Sequence, residues 1–476
     1  MKRKSGVLLP IFSLGGGHSI GSFGSDAYRF IDKLAEGGFS LWQILPLGAT
    51  DRWGSPYSSA SSFSLNPYFV DLQQLFEEGL LTREELSSAK ESTPYRCEYA
   101  RLSKERLKLL FSAAARFRDK EAVKAFIEEH PYVGEFCRFM TLKEVNGGAP
   151  HWEWRETVLP DERLFAWQFI EYKAYHQWQA LHAYASSRGV SILGDLSMYP
   201  SLDSADVYFH SEEFLLDEKG RPLSVAGVPP DAFAPEGQKW GNPLYRWKKA
   251  SKEGYAFFKE RLSFACSLFD GVRLDHFRAL ESYFAIPVDQ SAREGRWIKG
   301  PGNGLLRALA DLTEGADVIA EDLGFITPAV ERLVKRSGFA TTRVLQFGFS
   351  GEGENPHLPH RYPENAAVYT GTHDNNTLLG YLYELKEEDR GRILSYCNAE
   401  GKRPSEAIEP IVKTLLASRA RLAIFPLQDL LGYGGDARIN TPGRAEDNWH
   451  FRLSSEDISA FDLSRFLPLN RLYGRI

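Results

Sequence analysis

Along this chain, short uninterrupted apolar runs recur at wide intervals, and between many of them the apolar positions return every three to four residues. Six runs stand out: Ser40 to Leu45 (SLWQIL), Val190 to Leu193 (VSIL), Phe269 to Leu274 (FDGVRL), Ala316 to Ala320 (ADVIA), Thr342 to Phe347 (TRVLQF) and Ala366 to Tyr369 (AAVY). They lack the polar alternation of a half-exposed strand, so they are predicted to be parallel strands buried on both faces. Helical spacing over Phe165 to Ser186 and Tyr255 to Phe264 fills gaps between them. Strands alternating with helices over this length predict a parallel α/β protein.

The residues just past each run narrow the architecture. Gly194-Asp195 comes after VSIL, Asp275-His276 after GVRL, Glu321-Asp322 after VIA, and Thr372-His373-Asp374 after AAVYTG. Polar groups gathered just past the carboxyl ends of parallel strands are the mark of a (β/α)8 TIM barrel with its site on that face. A doubly wound open sheet also binds ligands at strand ends, but it needs a Gly-rich phosphate turn. Gly15-Gly16-Gly17 lacks the spacing for one and reads as a flexible turn. Residues 1–476 are therefore expected to form one barrel, with a mainly helical insertion over 77–160 (TREELSSAK, KEAVKAFIEE) and a helical segment over 378–421.

Composition removes other classes. Hydrophobic residues make up 43 % and charged residues 25 %, which is ordinary for a globular chain. Net charge is −6 and no long basic run occurs, so a nucleic-acid footprint is not expected. The basic start, Met1-Lys2-Arg3-Lys4, leads into an apolar stretch, Val7 to Phe12, that is too short for a signal peptide and contains Pro10. No apolar run approaches bilayer length. Cys97, Cys137, Cys266 and Cys397 fit no metal or redox spacing. A reduced, cytoplasmic protein without membrane partners is expected. Ten Trp and 21 Tyr favour a glycan ligand only slightly, because the same rings pack cores.

The carboxylates carry the chemistry. A lone acid past a strand is usually a helix cap or an ion-pair partner, but Asp275, Glu321 and Asp374 come from three strands expected at one barrel mouth. Glycoside chemistry needs such a set: an ionised carboxylate to attack the anomeric carbon and a protonated one to serve the leaving oxygen, about 5–5.5 Å apart in retaining enzymes. A third carboxylate can hold ring hydroxyls. Arg273 and Asp275, two apart on a strand, project to the same side, and the guanidinium favours an ionised Asp275. Glu321 has no adjacent base, and Asp322 repels its charge, which suits a proton donor. His276 and His373 adjoin these acids and can donate to sugar hydroxyls. No HExxH-type spacing accompanies them, so neither a metal nor any other cofactor is expected.

The segments G-V-R-L-D-H-F-R (271–278), A-E-D-L-G (320–324) and Y-T-G-T-H-D-N-N-T (369–377) resemble the central motifs of amylomaltases, the 4-alpha-glucanotransferases or disproportionating enzymes of the alpha-amylase clan. The resemblance extends, in family order, through S-P-Y (55–57), N-P-Y (66–68), G-D-L (194–196), S-A-D-V-Y (204–208), A-G-V-P-P-D (226–231), G-Q-K-W-G-N-P-L-Y (237–245) and L-P-H-R-Y-P (358–363). It implies an α-retaining double displacement with Asp275 as nucleophile, Glu321 as general acid and then base, and Asp374 stabilising the transition state. It further implies that Arg273, His276, His373, Tyr57 and Asp195 line the donor-sugar pocket, that Trp240 lies on the acceptor side, and that maltooligosaccharides and larger alpha-glucans are the substrates. The chain departs from the family pattern at Ala232 (before the retained Phe233), Ser197, Ser350 (before Gly351) and Arg444. An alpha-glucan hydrolase would use the same three acids. A non-catalytic glucan-binding protein would have lost one of them.

Overall fold

The computed structural model describes residues 2–230, 234–349, 354–444 and 446–476. Ala232, Phe233, Ser350 and Gly351 fall outside those ranges. Eight parallel strands close into a barrel: β1 (Lys4–Leu8), β2 (Leu41–Gln43), β3 (Ser191–Leu196), β4 (Gly271–Leu274), β5 (Asp317–Ala320), β6 (Ala340–Val344), β7 (Ala366–Tyr369) and β8 (Leu422–Pro426). Each strand pairs with its sequence neighbours, and β1 closes the ring against β8 with Lys4 opposite Leu422. The chain is thus a TIM barrel, and the apolar runs are continuous because the strands are covered on both faces. Gly6 permits the closure on the other side. A Cβ there would sit 2.7 Å from the Leu41 carbonyl oxygen and Cβ, so only glycine lets β1 lie flat against β2.

Two boundaries differ from the sequence reading. The strand expected over Thr342 to Phe347 begins at Ala340 and stops at Val344, and Leu345–Phe347 forms a 3-10 turn. Here the Val344 amide donates to His357 Nδ1 (3.1 Å), which takes the chain out of the ladder. β2 is only three residues long: its pairing with β3 ends at Gln43 opposite Leu193, where the Ile44 amide makes the last ladder bond, to the Leu193 carbonyl (3.0 Å).

Between β2 and β3 lie helices at Arg83–Ser88, Leu107–Arg116, Lys120–Glu129 and Pro131–Val145. They end on a 27-residue helix, Asp161–Ser187, whose Trp167 and Trp178 are fully buried. The Trp178 indole N–H donates to the Leu268 carbonyl (3.1 Å), tying this helix to the segment that leads into β4. Residues 378–421 carry helices Leu378–Glu384, Glu387–Tyr396 and Pro404–Ala417. A four-stranded antiparallel sheet, in the order Gln238–Pro243, Ser224–Val228, Ser282–Pro287, Arg296–Lys299, grows from the loops after β3 and β4 and stands beside the barrel mouth.

At the opposite face, the buried Arg475 guanidinium donates to the carbonyls of Leu415, Leu416, Ser418 and Ala420, at and just past the end of the helix before β8, and to the Lys4 carbonyl at the start of β1. Among the described residues no helix is long and apolar enough to cross a membrane.

Candidate active site

The barrel register sets the centre of the site. Asp195 on β3 pairs with Arg273 on β4, and both side chains are buried at the carboxyl end of the sheet. Arg273 Nη1 donates to both Asp195 oxygens (2.8 and 2.7 Å) and reaches Asp275 Oδ1 at 3.0 Å. The same-side projection expected for residues 273 and 275 is what brings the guanidinium onto the second carboxylate. The Tyr57 hydroxyl donates to Asp195 Oδ2 (2.7 Å) and lies 3.0 Å from His373 Nε2. A hydroxyl has one proton, here committed to Asp195, so His373 must carry its own proton on Nε2 and donate to Tyr57.

Glu321 is held differently. Its amide donates to the Leu274 carbonyl (3.0 Å), continuing the β4–β5 ladder, while its carboxylate accepts the amides of His276 (2.8 Å) and Leu323 (3.1 Å). His276 provides that amide from a left-handed backbone (φ +46°), a costly conformation for a non-glycine residue. The strain turns an N–H toward the acid while the imidazole stacks edge-on against Trp240 (4.9 Å between centroids, 85°). Trp240 is 39 % exposed and rises from the first strand of the antiparallel sheet.

Asp374 completes the ring of acids. His373 Nε2 lies 3.4 Å from its Oδ1, and Asn440 Nδ2 donates to the same oxygen at 2.6 Å. Arg438 fixes the backbone from below, donating to the Asp374 carbonyl (2.6 Å). Tyr57 and His373 stack face to face (5.3 Å, 22°), and Trp449 packs behind both rings at 5.9 and 6.0 Å. All nine residues singled out from the sequence therefore meet at one end of the barrel. Sequence reasoning missed Asn440, Arg438 and Trp449. Asn440 opens the Asn-Thr-Pro-Gly run (440–443) just before Arg444, but nothing local showed that it reaches back to Asp374.

Electrostatics refine one expectation. Burial pushes the Asp275 carboxyl up to about 8, because desolvation outweighs the pull of Arg273, and Asp195, Glu321 and Asp374 add repulsion. Glu321 is also raised, by burial first and then by Asp322, against the pull of Arg273 and its two amide bonds. Arg273 alone thus does not return Asp275 to an ordinary carboxylate. Of the two acids, only Asp275 makes direct contact with Arg273, which favours the negative charge there. Asp322 points away, accepting the Thr342 amide (2.7 Å) and the Thr341 hydroxyl. Burial pushes His276 down to about 3, helped by Arg278 and Arg273, and lowers His373 as well. Both imidazoles are neutral at physiological pH, suited to hydrogen bonding.

Two departures from the family pattern lie outside this cluster. Ser197 contributes a backbone carbonyl to Arg261 (2.6 Å), and the Arg444 carbonyl accepts from Asn448 (2.8 Å).

Buried carboxyls beside a buried guanidinium, with neutral donors and an exposed indole at the rim, are the kind of set that glycoside chemistry needs. The chain matches the 4-alpha-glucanotransferase family over residues 9–458. It is 40 % identical to the 4-alpha-glucanotransferase of Aquifex aeolicus over 99 % of each chain, and 39 % identical to that of Thermus thermophilus over 96 % of each. The structure of amylomaltase from Streptococcus agalactiae in complex with acarbose superposes with a TM-score of 0.95 at 33 % identity, covering all of both chains. By sequence across nearly its whole length and by fold, this chain belongs to the 4-alpha-glucanotransferase family.

Proposed function

We propose that the protein transfers α-1,4-glucan segments by a retaining double displacement on these acids. Asp275 attacks the anomeric carbon of the donor sugar while Glu321 gives its proton to the departing 4-oxygen, leaving a glycosyl ester on Asp275. The 4-hydroxyl of an acceptor glucan, or of glucose, then attacks that carbon. Glu321 takes the hydroxyl proton, the ester bond breaks, and Asp275 regains its charge. Asp374, with His373, His276, Tyr57, Asp195 and Arg273, holds the donor ring, and Trp240 offers an apolar face to the acceptor. The helical segment over 77–160 serves as scaffold, and the protein works in the cytoplasm on maltooligosaccharides and larger alpha-glucans.

The observation that carries this reading is the Arg273 contact. One buried cation touches both Asp195 and Asp275, so among Asp275, Glu321 and Asp374 it is Asp275 that is best kept ionised among neighbours that repel it. Incubation with pure maltotriose tests the outcome. Transfer releases glucose and builds longer oligomers with total reducing ends unchanged, whereas hydrolysis raises them in step with glucose. Asp275→Asn should bind glucan without turnover; near wild-type transfer by this variant would overturn the assignment.

A further inference from the structure

Asp429 lies beyond the strand ends, in the short helix Leu427–Leu431 that follows β8, and it is 1 % exposed. Its Oδ2 accepts the Thr370 hydroxyl (2.5 Å) and its Oδ1 accepts the Leu378 amide (2.6 Å). Thr370 is the first residue after β7, and Leu378 is the first residue of helix Leu378–Glu384. The loop between them carries His373 and Asp374. One carboxylate therefore joins the two feet of the loop that presents these residues to the site.

The surroundings reinforce the geometry. Gln346 lies across the same loop, with its amide on the Thr370 carbonyl (3.3 Å) and its side chain donating to the Asn376 carbonyl (2.9 Å). Gly371 lets it approach, since a Cβ there would stand 2.7 Å from Gln346 Nε2. Asp429 forms no ion pair among the described residues, and burial pushes its carboxyl up to about 7 against the two hydrogen bonds. An acid buried without a cation costs stability that an apolar residue of similar size would not. Such a group is retained where its directional bonds do something packing cannot.

We infer that Asp429 is a positioning residue for the reaction, stapling the loop 370–378 so that Asp374 and His373 stand at a fixed depth in the donor pocket. The inference rests on the role proposed for Asp374 as a holder of the donor ring. Both protonation states can bridge: an ionised carboxylate accepts two bonds, while a neutral acid accepts from Leu378 and donates to Thr370. The bridge rather than the charge is what matters. An asparagine can reproduce it, its oxygen on the Leu378 amide and its amide on Thr370 Oγ1; an alanine cannot.

The test compares Asp429→Ala, Asp429→Asn, Thr370→Val and the pair Asp429→Ala with Thr370→Val, assayed on maltotriose well below each variant's unfolding temperature. Slackening the loop by a fraction of an ångström should lower kcat for Asp429→Ala by about 10- to 100-fold with KM within about 3-fold, because misplacement penalises the transition state more than ground-state binding. Asp429→Asn should recover kcat to within about 3-fold of wild type, and the double variant should be no worse than Asp429→Ala alone, since both cut one staple. Wild-type kcat in folded Asp429→Ala, equal damage from Asn and Ala, or additive losses in the double variant would overturn the inference. Should Asp429→Ala not fold, Thr370→Val decides, with a loss of about 3- to 10-fold supporting the staple and an unchanged kcat refuting it. Asp374→Asn serves as the control. If it is inactive while Asp429→Ala is fully active, only the staple falls; if it turns over normally, the reading of the site itself falls.

Discussion

Arg273 is the position where stability and chemistry can be separated most cleanly. In Arg273→Met, Asp195 stays buried with the Tyr57 hydroxyl as its remaining side-chain partner, and Asp275 loses its cation at 3.0 Å. Removing one member of a buried pair costs about 3–5 kcal/mol, less than the total stability of many proteins, so a folded population remains to assay. The kinetic loss follows from Coulomb's law. A unit pair near 4 Å in an effective dielectric of about 20 is worth about 4 kcal/mol, which sets an upper bound of about 10³-fold, and partial screening of the quarter-exposed Asp275 brings the expectation to about 10²-fold or more at neutral pH. The sign is fixed as well. In the proposed reaction Asp275 attacks only when ionised; burial already raises its affinity for a proton, and loss of Arg273 raises it further. The acidic limb of kcat/KM for maltotriose should therefore move to higher pH, with activity partly recovered as the pH is raised. Glucose release followed across about pH 5 to 9 reads this limb, which belongs to the free enzyme. Arg273→Lys should restore the limb while keeping a rate defect, because a single ammonium cannot span both Asp195 oxygens and Asp275. An Arg273→Met profile lowered uniformly, with its acidic limb where wild type has it, would refute the idea that this guanidinium keeps Asp275 ionised.

Glu321→Gln should lose turnover on maltotriose yet still form the glycosyl ester from α-glucosyl fluoride, whose leaving group needs no proton; mass spectrometry of the quenched protein checks for the adduct. Asn440→Ala removes the 2.6 Å bond to Asp374 Oδ1 and should lower kcat by about 10- to 100-fold with little change in KM, as steady-state kinetics would show. Glu171 gives a prediction about stability alone. It is fully buried with its Oε2 on the Leu65 amide, and burial raises its carboxyl to about 8. A folded-state value raised above the unfolded one means that stability is lost as pH climbs from about 4.5 toward 8, by up to about 5 kcal/mol. Glu171→Gln should thus unfold at higher denaturant than wild type above pH 8, with the difference shrinking toward pH 5; urea titrations at both values decide it.

How far each element could be read in the sequence depends on where its stabilising neighbours lie. The six anticipated strands announce themselves because burial on both faces leaves no room for polar alternation. β1 escaped because Lys4-Ser5-Gly6 interrupts its apolar pattern, and Lys4 is tolerated there because it reaches Asp317 at the barrel's rim (2.8 Å). β8 was hidden behind the long helical segment that precedes it. The antiparallel sheet gave no signal, since Trp240 and Trp297 are exposed and Gly227 packs against the Gln238 backbone. In the site, Asp275, Glu321 and Asp374 were legible from strand ends, and Arg273 from its two-residue spacing. Asn440 and Arg438 were not, because their contacts cross more than sixty residues of chain. The proton balance between Asp275 and Glu321 was only half legible, for desolvation depends on walls contributed by distant strands.

Arg475 grips the Lys4 carbonyl while Arg3 donates to the Tyr473 carbonyl, so residues 3 and 475 sit side by side, at the end of the barrel opposite Asp275, Glu321 and Asp374. A surface anchor, reporter or fused partner joined through a spacer on that side would leave the mouth open to long polysaccharides. Linking residue 2 to residue 476 and reopening the chain in an exposed loop elsewhere would preserve every strand pairing that shapes the pocket, provided the linker leaves the Arg475 clasp in place.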